Sequence, residues 1–258
     1  ILLPYKENFS PEYPGAVSLF VYETTKISKF KKKITIFGNT NFKKIFNLKY
    51  VNINIKKEFF NSQTKNYVND FIKLERKHNS SIIEVHNRPS YIHIINSKVN
   101  NKILTLYFHN DPLSMDGSKT IEQRKNLLKT CYKIIFNSAW SKKRFLEGLE
   151  NKFVNSNKLS VFFQSADKSK LSILNKKKNW ITFVGKLNKA KGYDIFVKSI
   201  KNILDNYPNW RAKVIGDEKR EKIELKHKNA DLLGFLNHNQ VLNIFKKSSI
   251  AIACSRWE

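Results

Sequence analysis

Acidic residues are scarce in this chain. Its 258 residues carry 21 Asp and Glu against 48 Lys and Arg, a formal net charge of +27. An excess of that size points first to nucleic acid or an anionic membrane. Lysine far outnumbers arginine, however, and readers of bases and phosphates lean on arginine's planar fork. Asn, Ile and Phe are abundant together with Lys, a pattern that coding drift in an AT-rich genome produces. The charge is therefore read as a weak pull toward acidic phospholipid, with no specific nucleic-acid partner. Cysteine is nearly missing, and Cys131 and Cys254 fit neither a disulfide framework nor a zinc spacing. That excludes a disulfide scaffold and suggests a reducing, cytoplasmic setting, with peripheral contact at the inner face of the membrane. No apolar run approaches the ~18 residues of a membrane span, and no signal peptide is visible. The chain opens at Ile1 without a methionine and stops at Glu258 directly after an apolar run, so a fragment of a longer chain is expected.

What is present is a packed globular composition, 41% hydrophobic and 13% aromatic, long enough for one large or two modest domains. Short Ile, Val and Phe runs alternate with longer amphipathic stretches. Strands are expected at 33–37, 48–55, 81–85, 102–108, 132–136, 158–163, 180–184, 211–215 and 248–254. Helices are expected at 15–28, 61–77, 89–98, 118–130, 139–149, 191–206 and 238–247. Pro89 suits a first helical turn, and Asn237 or His238 can cap the last helix. Such alternation implies parallel sheets with helices on both faces, an α/β architecture of doubly wound, Rossmann-like domains. The run "NKKKN" at 175–179 reads as a linker between domains 1–174 and 180–258. The second domain is expected to be incomplete, because strand 248–254 is apolar on both faces and only helix 238–247 is at hand to cover it.

In doubly wound sheets ligands bind beyond the carboxyl ends of the strands. Those ends carry His86, Asn87 and Arg88, then His109, Asn110 and Asp111, then Ser138, then Gly185 and Lys186, then Asp217, and last Glu258. Strand ends meet solvent and are polar in any case, so one such residue means little; a His after each of two strands and a Gly-Lys after a third mean more. The stretch "WITFVGKLNKAKGYDIF" places Lys186 and Lys191 at the mouth of a strand–loop–helix unit. It is not the usual phosphate loop, whose lysine opens the helix behind a second glycine and is followed by a Ser or Thr for magnesium. With no Asp-x-Asp signature either, no metal and no cofactor are implied.

At these residues the sequence resembles the family-4 glycosyltransferases, retaining enzymes of GT-B fold with two Rossmann-like domains facing a cleft. "FVGKLNKAKGYDIFVKSI", "VIGDEKR" and "DLLGFLNHNQVLNIFKKSSIAIACSRWE" follow the order of that family's second domain. In the first, "IIFNSAWSKKRFLEGL", "IIEVHNRPSYI" and "LYFHNDPLSM" look like the lipopolysaccharide and spore-coat branch. The resemblance implies transfer of a sugar, with retention, from a UDP- or GDP-sugar to a cell-surface glycan or lipid-linked acceptor. It implies that Lys186 and Lys191, with Gly185, hold the donor diphosphate, and that Gly15 lets the first domain approach it. His109 would orient a donor-sugar hydroxyl or steady the reacting centre, and Glu258 would hold sugar hydroxyls or oppose oxocarbenium charge. His86, Asn87, Arg88, Asn110 and Asp111 would face the acceptor. Three departures stand out: Lys186 replaces a commoner arginine, Gly15 stands alone where the family often has two glycines, and the family's second glutamate falls beyond Glu258. A catalytically inactive relative, or a basic nucleic-acid-binding protein, is the competing reading.

Overall fold

The computed structural model describes residues 1–55, 62–164, 176–217 and 221–256. It divides into two compact units, Ile1–Ser165 and Ala166–Glu258.

The first unit holds strands β1 (Ile36–Gly38), β2 (Tyr50–Asn52), β3 (Ile82–His86), β4 (Ile103–Phe108), β5 (Lys133–Phe136) and β6 (Leu159–Val161). β3, β4, β5 and β6 lie side by side in that order, all parallel, and β1 pairs in parallel with β2. The two sets are joined by the first residues of the chain: Leu2 bridges Phe37 on one side and Val85 on the other, both in parallel. Its N–H donates to the Glu84 carbonyl at 2.7 Å, and the His86 N–H donates back to the Leu2 carbonyl at 3.1 Å. With that segment as first strand, the order is the one that Rossmann sheets use, and the order reverses between Leu2 and β3. The sequence reading misses this segment because a single bridging residue carries no period.

Helices α1 (Ala16–Ile27), α2 (Gln63–His78), α3 (Pro89–Asn96), α4 (Ile121–Thr130) and α5 (Ala139–Leu146) follow the expected stretches. Their ends are set by caps. Ser62 accepts from the Lys65 N–H, Thr120 and Gln123 form a reciprocal capping box, and Pro89 stands in the first turn of α3. Thr120 therefore starts α4 later than the expected 118. The core packs aromatic on aromatic: Phe136 lies 5.5 Å from Phe108 and 5.3 Å from Phe145, all three fully buried.

The second unit holds β7 (Lys178–Val184), β8 (Arg211–Ile215), β9 (Ala230–Leu232) and β10 (Ser248–Ile252), with α6 (Tyr193–Asn206) and α7 (His238–Lys247). The strands run parallel in the order β10-β7-β8-β9. α6 packs one stripe, Tyr193, Phe196, Val197, Ile200 and Leu204, onto the sheet, the spacing of an amphipathic helix. Asn237 caps α7, in a capping box with Gln240. β7 begins at Lys178, within the run expected as a linker, and the Lys178 ammonium sits 4.8 Å from the Trp180 ring centre. β9 is not foreseen by pattern: it is three residues long and carries Asp231, held by Arg211 at 2.7 Å and by Lys213.

Candidate functional site

In the second unit the strand order reverses between β7 and β10, and the loops leaving those two strands are joined. Gly192 caps α6 in the left-handed conformation, φ 68°, where a Cβ would overlap the Cys254 carbonyl oxygen. The Cys254 Sγ lies 3.0 Å from the Gly192 carbonyl, and the Arg256 N–H donates to the Ala190 carbonyl at 3.0 Å. The Arg256 guanidinium grips both Asp194 oxygens at 2.8 Å and also reaches the Lys189 carbonyl. That fork holds the Asp194 carboxyl down at about 2. From the other flank the Glu221 carboxylate accepts from the Lys189 N–H at 3.0 Å, and buried Asn188 accepts from the Lys191 N–H at 3.0 Å. The loop 185–192 is thus a held conformation. Lys186 is exposed on it, and Lys191 is half-buried with its stem over Gly185. Gly216, φ 135°, follows β8; a Cβ there would overlap the Gly185 carbonyl oxygen, so two strand ends approach to backbone distance. Asp217, exposed, gives its carbonyl to the Leu187 N–H at 3.3 Å.

In the first unit the reversal lies between the chain start and β3. The loop after Leu2 leads to Gly15, which caps α1 with φ −77° and ψ 159°. No side chain of its own caps that helix; the Glu7 carboxylate does, accepting from the Ser18 N–H at 3.0 Å, and it fills the space a Cβ on Gly15 would need. On the other side of the reversal, Asn87 takes a left-handed conformation, φ 53°, and its side-chain oxygen accepts from the His109 N–H at 3.2 Å. Arg88 turns back, donating to the Asn87 carbonyl at 2.7 Å. Asn110 is exposed. Asp111 caps the short turn after it, accepting from the Leu113 N–H at 3.0 Å, and pairs with Arg144 of α5 at 3.2 Å, so it pins a loop to a helix. Ser138 caps α5.

The two histidines come together. His86 Nδ1 is 2.8 Å from His109 Nε2, and His86 Nε2 is 2.7 Å from Glu84 Oε1. Gln164 Nε2 lies 2.6 Å from His109 Nδ1. Both rings are almost fully buried, 1% and 7% exposed, between the Tyr107 ring, stacked 4.5 Å from His109, and Phe20 of α1, edge-on at 5.0 Å. Burial pushes the His109 imidazole down to about 2. Burial works to raise the Glu84 carboxyl, yet the hydrogen bond with His86 brings it below its ordinary value.

Of the residues expected from sequence, the first unit joins His86, Asn87 and His109 in one network, and the second joins Gly185, Lys186 and Lys191 in one loop. Glu258 lies outside the described residues. Glu84, Gln164, Glu7, Asn188 and Arg256 are not foreseen. Glu84 leaves a signal: in a strand of period two it shares a face with His86, on an otherwise apolar element. Gln164 and Arg256 leave none, since they arrive from distant sequence.

Residues 164–258 match the family model described as glycosyl transferases group 1. No curated protein matches the chain in sequence. Among solved structures the chain is similar to Anabaena Alr3699/HepE in complex with UDP and glucose, at 13% identity over 98% of this chain and 73% of that one, with a TM-score of 0.71. It is similar to WaaG, a glycosyltransferase involved in lipopolysaccharide biosynthesis, at 11% identity over 99% and 74%, with a TM-score of 0.64. A putative UDP-N-acetylglucosamine 2-epimerase from Listeria monocytogenes is similar too, at 11% identity over 97% and 72%, with a TM-score of 0.61. Likeness at such identities speaks to fold. The chain takes the GT-B fold of Rossmann-like units, and over residues 164–258 it matches the group 1 glycosyl transferases.

Proposed function

We propose that this protein transfers a sugar from a nucleotide-sugar donor to a glycan or lipid-linked acceptor of the cell surface, with retention of anomeric configuration, and that it does so in the manner of the family-4 enzymes. The observation that carries the reading is the family match over residues 164–258, which contains the whole clasped loop from Gly185 to Gly192. The fold alone does not select transfer, because a putative 2-epimerase shares it. One neighbour of the same fold, Anabaena Alr3699/HepE, holds UDP with glucose in one structure and UDP-glucose in another, which favours a UDP-sugar over a GDP-sugar here.

Breaking the glycosidic bond leaves growing negative charge on the departing diphosphate. Fixed positive charge aimed there lowers the barrier, since no reorganisation is needed when the charge appears. Lys186 and Lys191 supply that charge, on a loop that Arg256, Glu221 and Asn188 hold in place. Gly15 and His109 in the first unit serve the donor as well, and His86, Asn87, Arg88, Asn110 and Asp111 serve the acceptor side. Glu258 holds the donor sugar. Membrane contact is proposed at the end of α1, where Ile27 is 82% and Phe30 55% exposed among Lys26, Lys29, Lys31, Lys32 and Lys33.

The test is release of UDP from a panel of UDP-sugars by the full chain, with NMR of the product anomer. Transfer with retention is expected, and Lys191→Ala should lower turnover by about 10²-fold, as for loss of preorganised charge at a leaving group. Conversion of UDP-N-acetylglucosamine to its C2 epimer, or full turnover in folded Lys191→Ala, would overturn the assignment.

A further inference from the structure

We propose that Glu84 and His86 are positioning residues which lock His109 in its Nε2–H form, so that His109 Nδ1 faces its loop as a permanent hydrogen-bond acceptor. Three hydrogen bonds in series carry this: Glu84 Oε1 to His86 Nε2 at 2.7 Å, His86 Nδ1 to His109 Nε2 at 2.8 Å, and His109 Nδ1 to Gln164 Nε2 at 2.6 Å. An ionised carboxylate only accepts, so His86 Nε2 carries a proton. A neutral His86 then has a lone pair at Nδ1, which requires the proton of His109 at Nε2. That leaves a lone pair at His109 Nδ1, and the Gln164 amide N–H meets it. Every bond in the series has one donor and one acceptor. A charged His86 would turn the remaining two around and set the His109 Nδ1–H against the Gln164 NH₂, donor against donor.

The packing holds both ring planes in place. Tyr107 stacks on both imidazoles, at 4.5 Å from His109 and 5.4 Å from His86, and Phe20 closes the edge of His109. The Asn87 side chain and the Asn137 amide hold the His109 backbone, at 3.2 Å and 2.8 Å. Orientation of one imidazole by a partner on its far nitrogen is how second-layer carboxylates fix a tautomer.

The consequence is a choice of ligand group, and this part rests on the proposed transfer function. A neutral acceptor at Nδ1 takes a hydroxyl, which arrives by displacing the Gln164 amide. It repels a phosphate or carboxylate oxygen. His109 Nδ1 therefore suits a neutral hydroxyl, in keeping with what the family resemblance implies for it, and offers no positive charge to an anion.

The experiment is long-range ¹H–¹⁵N correlation NMR of the histidine side chains in the ¹⁵N-His-labelled full chain, assigned with His109→Gln. In wild type, His109 should show a protonated Nε2 and an unprotonated Nδ1. His86→Phe keeps a flat ring and removes both nitrogens, so His109 should become a mixture of tautomers. His86→Gln restores a donor toward Glu84 and an acceptor toward His109, and should restore the Nε2–H form. Adding UDP-glucose should shift the His109 Nδ1 resonance, whereas UDP alone should not. A wild-type His109 protonated at Nδ1, or an unchanged His109 in folded His86→Phe, would overturn the lock. UDP-glucose that binds the second unit and leaves His109 Nδ1 unmoved would overturn the assignment of the hydroxyl. Absence of any UDP-glucose binding would count against the transfer function while the tautomer result stood on its own.

Discussion

His109 shows how a residue's surroundings decide its charge. An imidazole in water takes a proton near pH 6.5, but burial holds this one down to about 2. Between those values the unfolded chain binds a proton that the native state refuses. The native state is therefore favoured in full above about pH 6.5 and loses ground as the pH falls toward 2. One proton corresponds to about 1.4 kcal/mol per pH unit. Urea unfolding followed at pH 6.5, 5.5 and 4.5 should show a slope of stability against pH that is smaller in His109→Gln by up to one proton. Equal slopes in the two proteins would mean that His109 titrates normally in the folded chain. Lys186 and Lys191 differ in kind, because their position is set by others. Asn188, Glu221 and Arg256 hold the backbone that carries them.

At the scale of elements, α1 leads a double life. Its buried face, Val17, Ser18, Val21 and Thr25, packs into the first unit, and Gly15 with Glu7 closes its start. Its far end runs into the turn Lys31–Lys33 and exposes Ile27 and Phe30 within a lysine cluster. Two apolar side chains ringed by cations suit an acidic bilayer: the apolar pair enters the headgroup boundary, and each lysine near the surface adds ~1 kcal/mol. Changing Lys29, Lys31, Lys32 and Lys33 to Glu should abolish sedimentation with vesicles containing phosphatidylserine, while phosphatidylcholine vesicles retain neither protein. Undiminished co-sedimentation of the variant would move the membrane contact elsewhere on the surface. The second unit has its own exposed apolar side chain on β10, Ile250, 43% exposed.

For the whole molecule the net charge of +27 is the dominant number, and its meaning follows from how it is distributed. Some of the cations are tied to local partners, as Lys125 and Lys152 are to Glu150, Lys102 to Glu75 and Arg211 to Asp231, and the rest are mostly lysines, which lack the fork that reads bases. Binding to duplex DNA should therefore be non-specific and should vanish by about 200 mM salt, in the manner of pure counterion release. Sequence-selective, salt-resistant retention in a gel shift would favour the nucleic-acid reading over sugar transfer.

By itself the sequence determined the longer strands and the helices, because burying both faces of a parallel sheet demands unbroken Ile, Val and Phe runs, and caps such as Ser62, Thr120 and Asn237 mark helix starts. It also showed which strand ends carry chemistry, since a carboxyl end is simply the next residue along the chain. The order of strands was not legible. It depends on pairing between distant segments, on a single bridging residue at Leu2 and on a three-residue strand at 230–232, both too short to show a period. Tertiary structure alone decided which polar residues meet. His86 and His109 are 23 residues apart, Gln164 stands 55 beyond His109, and Arg256 reaches Asp194 across 62, so no spacing could announce them. Adjacent parallel strands brought the two imidazoles to 2.8 Å, and burial then removed the water that would have let His109 take its ordinary charge.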